Sequence, residues 1–428
     1  MEITTEMEGA QISKVQGLNS DQHLALETLK SASNVFLTGA AGSGKSFLLR
    51  HFLRDKDPDL FPVLATTGAA AILVAGRTFH SFFGLGIMEG GAGATVDRAL
   101  RNRRVVRRIK KTEAIIIDEI SMLGGATLAA AEEIARRARG NTRPWGGMRI
   151  IAVGDFCQLP PVNAFGRNKE WAFKDPSWHR SEFRPAILRQ IMRTTDTEFL
   201  NVLNLVRYGR VTAAVREFLD FRCRPIPKDF EGTRLFGRRE EVERYNLERL
   251  SHLSTPLHDF KTDYRGDLKS IESFKKNAPI PENISLRKGA LVMMRQNDVR
   301  GRWVNGSLGH ITSIDTLRLG IRLLASQREI FLEKSDFTML DADGSPIATA
   351  SNFPVTLAYA LTIHKAQGTT LDQMTVDLRR LWEPGQAYVA LSRASSPAGL
   401  WIEGWNADSI FLDSAVLDFH RSLVASHN

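Results

Sequence analysis

Eight consecutive residues, Gly39-Ala40-Ala41-Gly42-Ser43-Gly44-Lys45-Ser46, fit the pattern G-x-x-x-x-G-K-[ST]. Residues of these types at this spacing have a chemical use. The glycines let the backbone turn its N–H groups toward phosphate oxygens, and a helix starting at the lysine adds a favourable dipole. Lys45 would reach the β- and γ-phosphates of a nucleotide, and the Ser46 hydroxyl would ligate Mg²⁺. A plain glycine-rich turn at a strand end is the alternative. The context argues against it, because the apolar run Val35–Thr38 precedes the motif and the helical Ser46–Leu53 follows it.

Ile115-Ile116-Ile117-Asp118-Glu119 supplies the acids that such a site needs. A buried strand ending in carboxylates places them at the C-terminal edge of a parallel sheet, where α/β proteins bind ligands. Asp118 would hold Mg²⁺, and Glu119 would orient or deprotonate the attacking water. Another apolar run ends at Gly154-Asp155 and leads into Phe156-Cys157-Gln158-Leu159-Pro160-Pro161. Gln158 is placed to sense the γ-phosphate, unless it is only a polar loop residue before a proline stop. Phosphoryl transfer also needs positive charge on the transition-state oxygens, often from an arginine reaching across an interface. Arg193 and Arg393 are candidates that position alone does not single out from the other arginines.

These residues need a scaffold, and the chain supplies two stretches of alternating strands and helices, the pattern of parallel α/β sheets. The first holds apolar runs at Val35–Thr38, Val63–Ala65, Ala114–Ile117 and Ile150–Val153. Each is apolar throughout, as expected for strands buried on both faces. The second opens at Arg234–Phe236 with a charged helix through Leu250. It resumes at Leu357–Lys365, Met374–Leu378, Gln386–Arg393 and Leu400–Glu403. Between its two parts, Thr255–Ala350 reads as a β-rich insertion with short alternating runs such as Ala290–Met294 and His310–Ile314.

The chain's 428 residues exceed one compact core. No apolar run is long enough to span a bilayer, and Met1–Gln16 is polar without an apolar core, so a cytoplasmic protein is expected. Two cysteines without metal-ligand spacing fit a reducing compartment. The net charge of +9 is concentrated in Arg98, Arg101, Arg103, Arg104, Arg107, Arg108, Lys110 and Lys111. Such a cluster is either a phosphate-binding footprint or the solvated face of a helix.

In order along the chain, these motifs resemble superfamily 1 helicases of class B. They are most similar to the petite-integration-frequency (Pif) family, with RecD-type and phage Dda-type enzymes as relatives. Leu18-Asn19-Ser20-Asp21-Gln22 resembles the adenine-reading Q motif. Ala65-Thr66-Thr67-Gly68-Ala69-Ala70-Ala71 and Thr78-Phe79-His80-Ser81-Phe82 resemble strand-contacting motifs. Pro144-Trp145-Gly146-Gly147 resembles the family signature, although Phe is commoner where Trp145 stands. Arg193-Thr194-Thr195-Asp196 resembles the motif of a first arginine finger, with Thr194 where Gln is usual. Val304-Asn305-Gly306-Ser307-Leu308-Gly309 resembles an element of the inserted β domain. His364-Lys365-Ala366-Gln367-Gly368 and Tyr388-Val389-Ala390-Leu391-Ser392-Arg393-Ala394 resemble the last two motifs, the second carrying the other finger.

The resemblance implies two RecA-like domains sandwiching one ATP. The first would span 18–182, behind a tail at 1–17 and with a wedge insertion at about 84–111. The second would span 183–254 plus 351–428, with an SH3-like insertion at 255–350. It implies 5′-to-3′ movement on single-stranded DNA, unwinding of forks or tailed duplexes, and a role in replication, repair or recombination, in a protein expected to be a monomer. Gln22, Gln367 and Gly368 would join the P-loop in holding ATP. Thr66, Gly68, Phe79, His80, Asn305 and His364 would contact the strand, with Phe79 equally readable as a core aromatic. A P-loop kinase or other ATPase would lack the motifs of the second domain. A catalytically dead DNA-binding module would not need Lys45, Ser46, Asp118, Glu119 and both arginines.

Overall fold

A computed structural model of the chain describes residues 17–66, 77–86, 88, 91–161, 169–227, 230–298, 300–340 and 346–425. Six strands build the first sheet: β1 (Val35–Gly39), β2 (Val63–Ala65), β3 (Arg77–Thr78), β4 (Ala114–Ile117), β5 (Arg149–Gly154) and β6 (Arg184–Leu188). Their order is β3-β2-β4-β5-β1-β6, and every neighbouring pair is parallel. β1 and β4 are fully buried, as their uninterrupted apolar sequences require. Because β5 lies between β1 and β4, Gly154-Asp155 emerges between the phosphate loop and Asp118-Glu119.

The expected boundary after residue 182 is too early. β6 pairs with β1 in parallel along Val35–Gly39, so the first sheet continues to Leu188. The expected end of the second domain also changes. The helix Ser414–Ala425 lays Val416 and Phe419 onto the first core, not the second. There Phe419 stacks on Phe173 with centroids 4.4 Å apart and packs against Phe36, Phe156 and Trp178. Burial of this aromatic face ties the C-terminus back across the molecule.

The second parallel sheet has four strands in the order Ala360–Thr362, Thr233–Phe236, Met374–Leu378, Leu400–Trp405. Helices Thr197–Arg207 and Gln386–Leu391 pack over it. Asp196 starts the first of them by accepting the Phe199 N–H. Inserted between its strands is an antiparallel unit with its own core. Its five-stranded sheet runs Glu329–Glu333, Arg318–Leu323, Leu308–Ile314, Leu291–Met294, Val355–Leu357. The last strand lies beyond 350, so the insertion is longer than its composition suggested.

The basic segment forms two short helices, Gly91–Arg101 and Arg103–Lys111, pinned to the first core by Val96, Val105 and Ile109. Among the described residues no helix is long and apolar enough to cross a membrane.

Candidate nucleotide site and strand-binding surface

The phosphate loop joins β1 to the helix Lys45–Leu53. Gly42 and Gly44 have φ of +78° and +88°, a left-handed backbone that other residues adopt at a cost. Space matters as well: a Cβ on Gly42 would stand 2.6 Å from Arg193 Cβ, and one on Gly44 2.7 Å from Gln22 Nε2. Lys45 Nζ donates to the carbonyls of Gly39 (2.8 Å) and Ala40 (3.1 Å), folding back along the loop. Ser46 sits exposed at the start of the helix, and Ser43 Oγ is buried without a hydrogen-bond partner among the described residues. That buried hydroxyl and the two left-handed glycines fit a loop shaped for phosphate oxygens.

Gln22 is buried and does two jobs. It completes the capping box of helix Ser20–Lys30, its side chain accepting the Asn19 N–H at 3.1 Å, and its amide nitrogen presses on Gly44. Asp118 and Glu119 end β4 side by side, with the Glu119 N–H donating to Asp118 Oδ1 at 3.0 Å. Burial and the neighbouring Asp118 push the Glu119 carboxyl up to about 7, against the pull of Lys45 and Arg393. A carboxylate raised to that range is a general base matched to neutral pH. Ser46 and Asp118 together are hard oxygen donors, the kind Mg²⁺ takes.

The second domain closes this site. Gln367, at the end of helix Ile363–Ala366, donates from Nε2 to Glu119 Oε2 (3.0 Å) and to Gln158 Oε1 (3.3 Å). The hydroxyl of Tyr388 accepts the N–H of Ala41 in the phosphate loop at 2.7 Å. Gly385 comes so near the loop after β5 that a Cβ there would lie 2.4 Å from the Cys157 carbonyl oxygen. Gly368, with φ of +82°, turns the chain after Gln367.

The arginines divide differently from the expectation. Arg193 does not reach across from the second domain. It follows β6, stands against Gly42, and donates to the Ser392 carbonyl of the second domain. Arg393 is buried in the second domain, donating to the Val389 carbonyl (2.9 Å) and Ser392 Oγ (2.7 Å). Burial and the adjacent Arg193 lower it to about 9. The two guanidinium groups therefore meet at Ser392, Arg193 from the first domain and Arg393 from the second.

The strand-contact candidates fare unevenly. Phe79 is fully buried, packed on Phe83 at 4.9 Å, and presents no face for a base. It belongs to the first core, because the helix Phe79–Phe83 turns its aromatic side inward. His80, next along that helix, is half-buried, and its imidazole is lowered by burial. Thr66 is half-buried just past β2, and Gly68 lies outside the described residues. Asn305 belongs to the loop before Leu308–Ile314; its side-chain oxygen lacks a partner among the described residues, and the next residue, Gly306, abuts Thr369 beside Gly368. His364 is half-buried near the Lys169–Glu383 ion pair, 2.7 Å long, which links the two domains.

Of the basic cluster, Arg98 bonds the Leu85 carbonyl, Arg108 sits over the Phe82 ring, and Lys111 pairs with Asp59. Arg101, Arg103, Arg104, Arg107 and Lys110 are exposed. The signature Pro144-Trp145-Gly146-Gly147 is structural: Trp145 is buried, donating from its ring to Ser181 Oγ (2.7 Å) and from its backbone to Glu132 (3.3 Å). Sequence reasoning passed over Tyr388, Asp155 and Arg207, all of which the fold brings to this site. The first two lie inside recognised motifs, whereas no pattern marked Arg207.

A phosphate loop, an acid pair and two arginines in the cleft between two parallel-sheet domains define a P-loop motor ATPase of the helicase class. Comparisons with known proteins specify the branch. The family model for PIF1-like helicases matches residues 17–217. A relative in Bdellovibrio bacteriovorus named ATP-dependent DNA helicase Pif1 is 49% identical, covering 94% of this chain and 92% of the relative. The crystal structure of Bacteroides sp Pif1 in complex with ADP-AlF4 matches with TM-score 0.82 and 27% identity, covering 96% of this chain and 98% of the other. That of Bacteroides Pif1 bound to ssDNA matches with TM-score 0.68 and 28% identity over the same shares. The chain belongs to the PIF1-like helicase family.

Proposed function

We propose that the chain is an ATP-dependent DNA helicase that moves 5′ to 3′ along single-stranded DNA and unwinds forked or tailed duplexes ahead of it. The observation that carries this reading is the bond from Gln367 in the second domain to Glu119 in the first. It makes the hydrolytic carboxylate sensitive to domain approach, which is what a motor requires.

The residues divide the work. The phosphate loop and Lys45 bind the triphosphate, and Gln22 faces the loop from the adenine side. Ser46 and Asp118 would hold Mg²⁺, which when bound neutralises charge on the phosphates. Glu119 takes a proton from the attacking water, and Gln158 and Gln367 orient it. Arg193 and Arg393 stabilise charge on the transferring phosphoryl group once the cleft tightens. ATP favours the tight state only by binding it better than the open one, and that difference drives the step. Thr66, His80, Asn305 and His364 would contact the strand. The related Bacteroides Pif1 bound to ssDNA supports single-stranded DNA as the partner. One chain carries every group named here, so a monomer is the working unit proposed.

The test is unwinding of two labelled duplexes, one with a 5′ tail and one with a 3′ tail, in ATP and Mg²⁺. Opening only the 5′-tailed duplex is expected. Opening only the other would overturn the polarity, and opening neither would remove helicase activity from the isolated chain.

A further inference from the structure

Asp155 follows β5, between the phosphate loop and the acid pair, and is fully buried. Its carboxylate accepts from Arg207 twice, from Nε at 3.1 Å and from a terminal nitrogen at 2.9 Å. It also accepts the Cys157 N–H at 3.1 Å, and its backbone carbonyl accepts the Gln158 N–H at 2.9 Å. One residue thus shapes the turn that presents Gln158. Arg207 ends the helix Thr197–Arg207, whose Phe199, Val202 and Val206 sit in the second core. Its guanidinium also bonds the Tyr208 hydroxyl (3.0 Å) and lies 3.1 Å from His420 Nε2, on the helix that crosses back to the first domain. A fully paired buried cation from the second domain therefore stands directly behind the ATP site.

Lys45 is the group this arrangement protects. Burial pushes its ammonium down, and among the charges opposing that, Asp155 acts most strongly, ahead of Glu119 and Asp118. Yet Lys45 bonds loop carbonyls, and Asp155 bonds Arg207. A buried carboxylate deprived of its partner is strongly unfavourable and recruits the nearest cation. After Arg207, Lys45 is the cation that acts most strongly on Asp155, ahead of His420.

We propose that Arg207 is a positioning residue for ATP turnover: by neutralising Asp155 from the second domain, it leaves Lys45 available for phosphate and holds the turn that presents Gln158. Arg207 is committed to Asp155, Tyr208 and His420 and acts through them. The proposal rests on the ATPase reading above and deepens it, since separation of the two domains would both withdraw Arg393 and divert Lys45.

The experiment measures affinity for a non-hydrolysable ATP analogue, and DNA-stimulated ATPase, in the full chain. Variants are Arg207→Met, Arg207→Gln, Asp155→Asn and the double Asp155→Asn/Arg207→Met, each checked for a cooperative melt. Arg207→Met is expected to weaken analogue binding about tenfold or more, with Arg207→Gln serving if it does not fold. The double variant is expected to return to within about threefold of the parent, because no buried charge remains to hold Lys45. Unchanged binding in a folded Arg207 variant, or equal loss in the double variant, would overturn the proposal. A parent chain that binds no analogue would overturn the ATPase reading itself, a separate result.

Discussion

Gln367 Nε2 lies 3.0 Å from Glu119 Oε2, a hydrogen bond from one domain to the acid pair of the other. An uncharged amide there lowers the carboxyl; a second carboxylate would raise it by like-charge repulsion. The variant Gln367→Glu is therefore expected to move the acid limb of the ATPase pH profile upward by about one unit and to reduce turnover at pH 7. An acid limb that stays in place would show that the two side chains do not meet during turnover.

As the proposed base, Glu119 is expected to set the profile of the parent enzyme. Its carboxyl is raised to about 7 by burial and by Asp118. As a base it works deprotonated. DNA-stimulated kcat is expected to be flat above about pH 7.5 and to fall about tenfold per unit below about pH 6.5. Measuring kcat from about pH 5.5 to about pH 9 checks the sign, and a fall on the alkaline side alone would contradict it.

Arg393 is committed to carbonyls of its own domain, so removing it leaves the phosphate loop intact. Arg393→Ala is expected to keep ATP binding within a few-fold while DNA-stimulated turnover drops about 10³-fold or more. Equal losses in binding and turnover would instead indicate an interaction already made in the ground state.

Phe79 fills the first core rather than a stacking platform. Phe79→Ala is expected to cost about 3–5 kcal/mol of stability, read by denaturant melts. DNA affinity of the folded fraction should be unchanged. A selective loss of DNA affinity in a stable variant would restore the stacking assignment.

The exposed basic side chains Arg101, Arg103 and Arg107 supply a further check. Replacing all three with alanine is expected to make the salt dependence of duplex binding shallower, by up to about 0.9 in log–log slope for each phosphate that is no longer neutralised. An unaltered slope would mean a merely solvated helix face.

Local chemistry along the chain was enough to specify the phosphate loop, the acid pair and most strand positions. Glycine at left-handed φ, isoleucines buried on both faces and a strand ending in carboxylates are readable over a few residues. Ala114–Ile117 and Met374–Leu378 match the strands residue for residue. Whatever joins residues far apart in the chain emerged only with the folded molecule. Arg184–Leu188 carries too little periodicity to announce a sixth strand, and only its pairing with β1 reveals it. Phe79 could have faced bases or core until the helix packed. Arg207 gains its meaning from Asp155, 52 positions earlier, and from His420, 213 positions later. Such pairings form because burial of two cores brings distant polar groups together, and each buried charge then requires a partner wherever the fold supplies one.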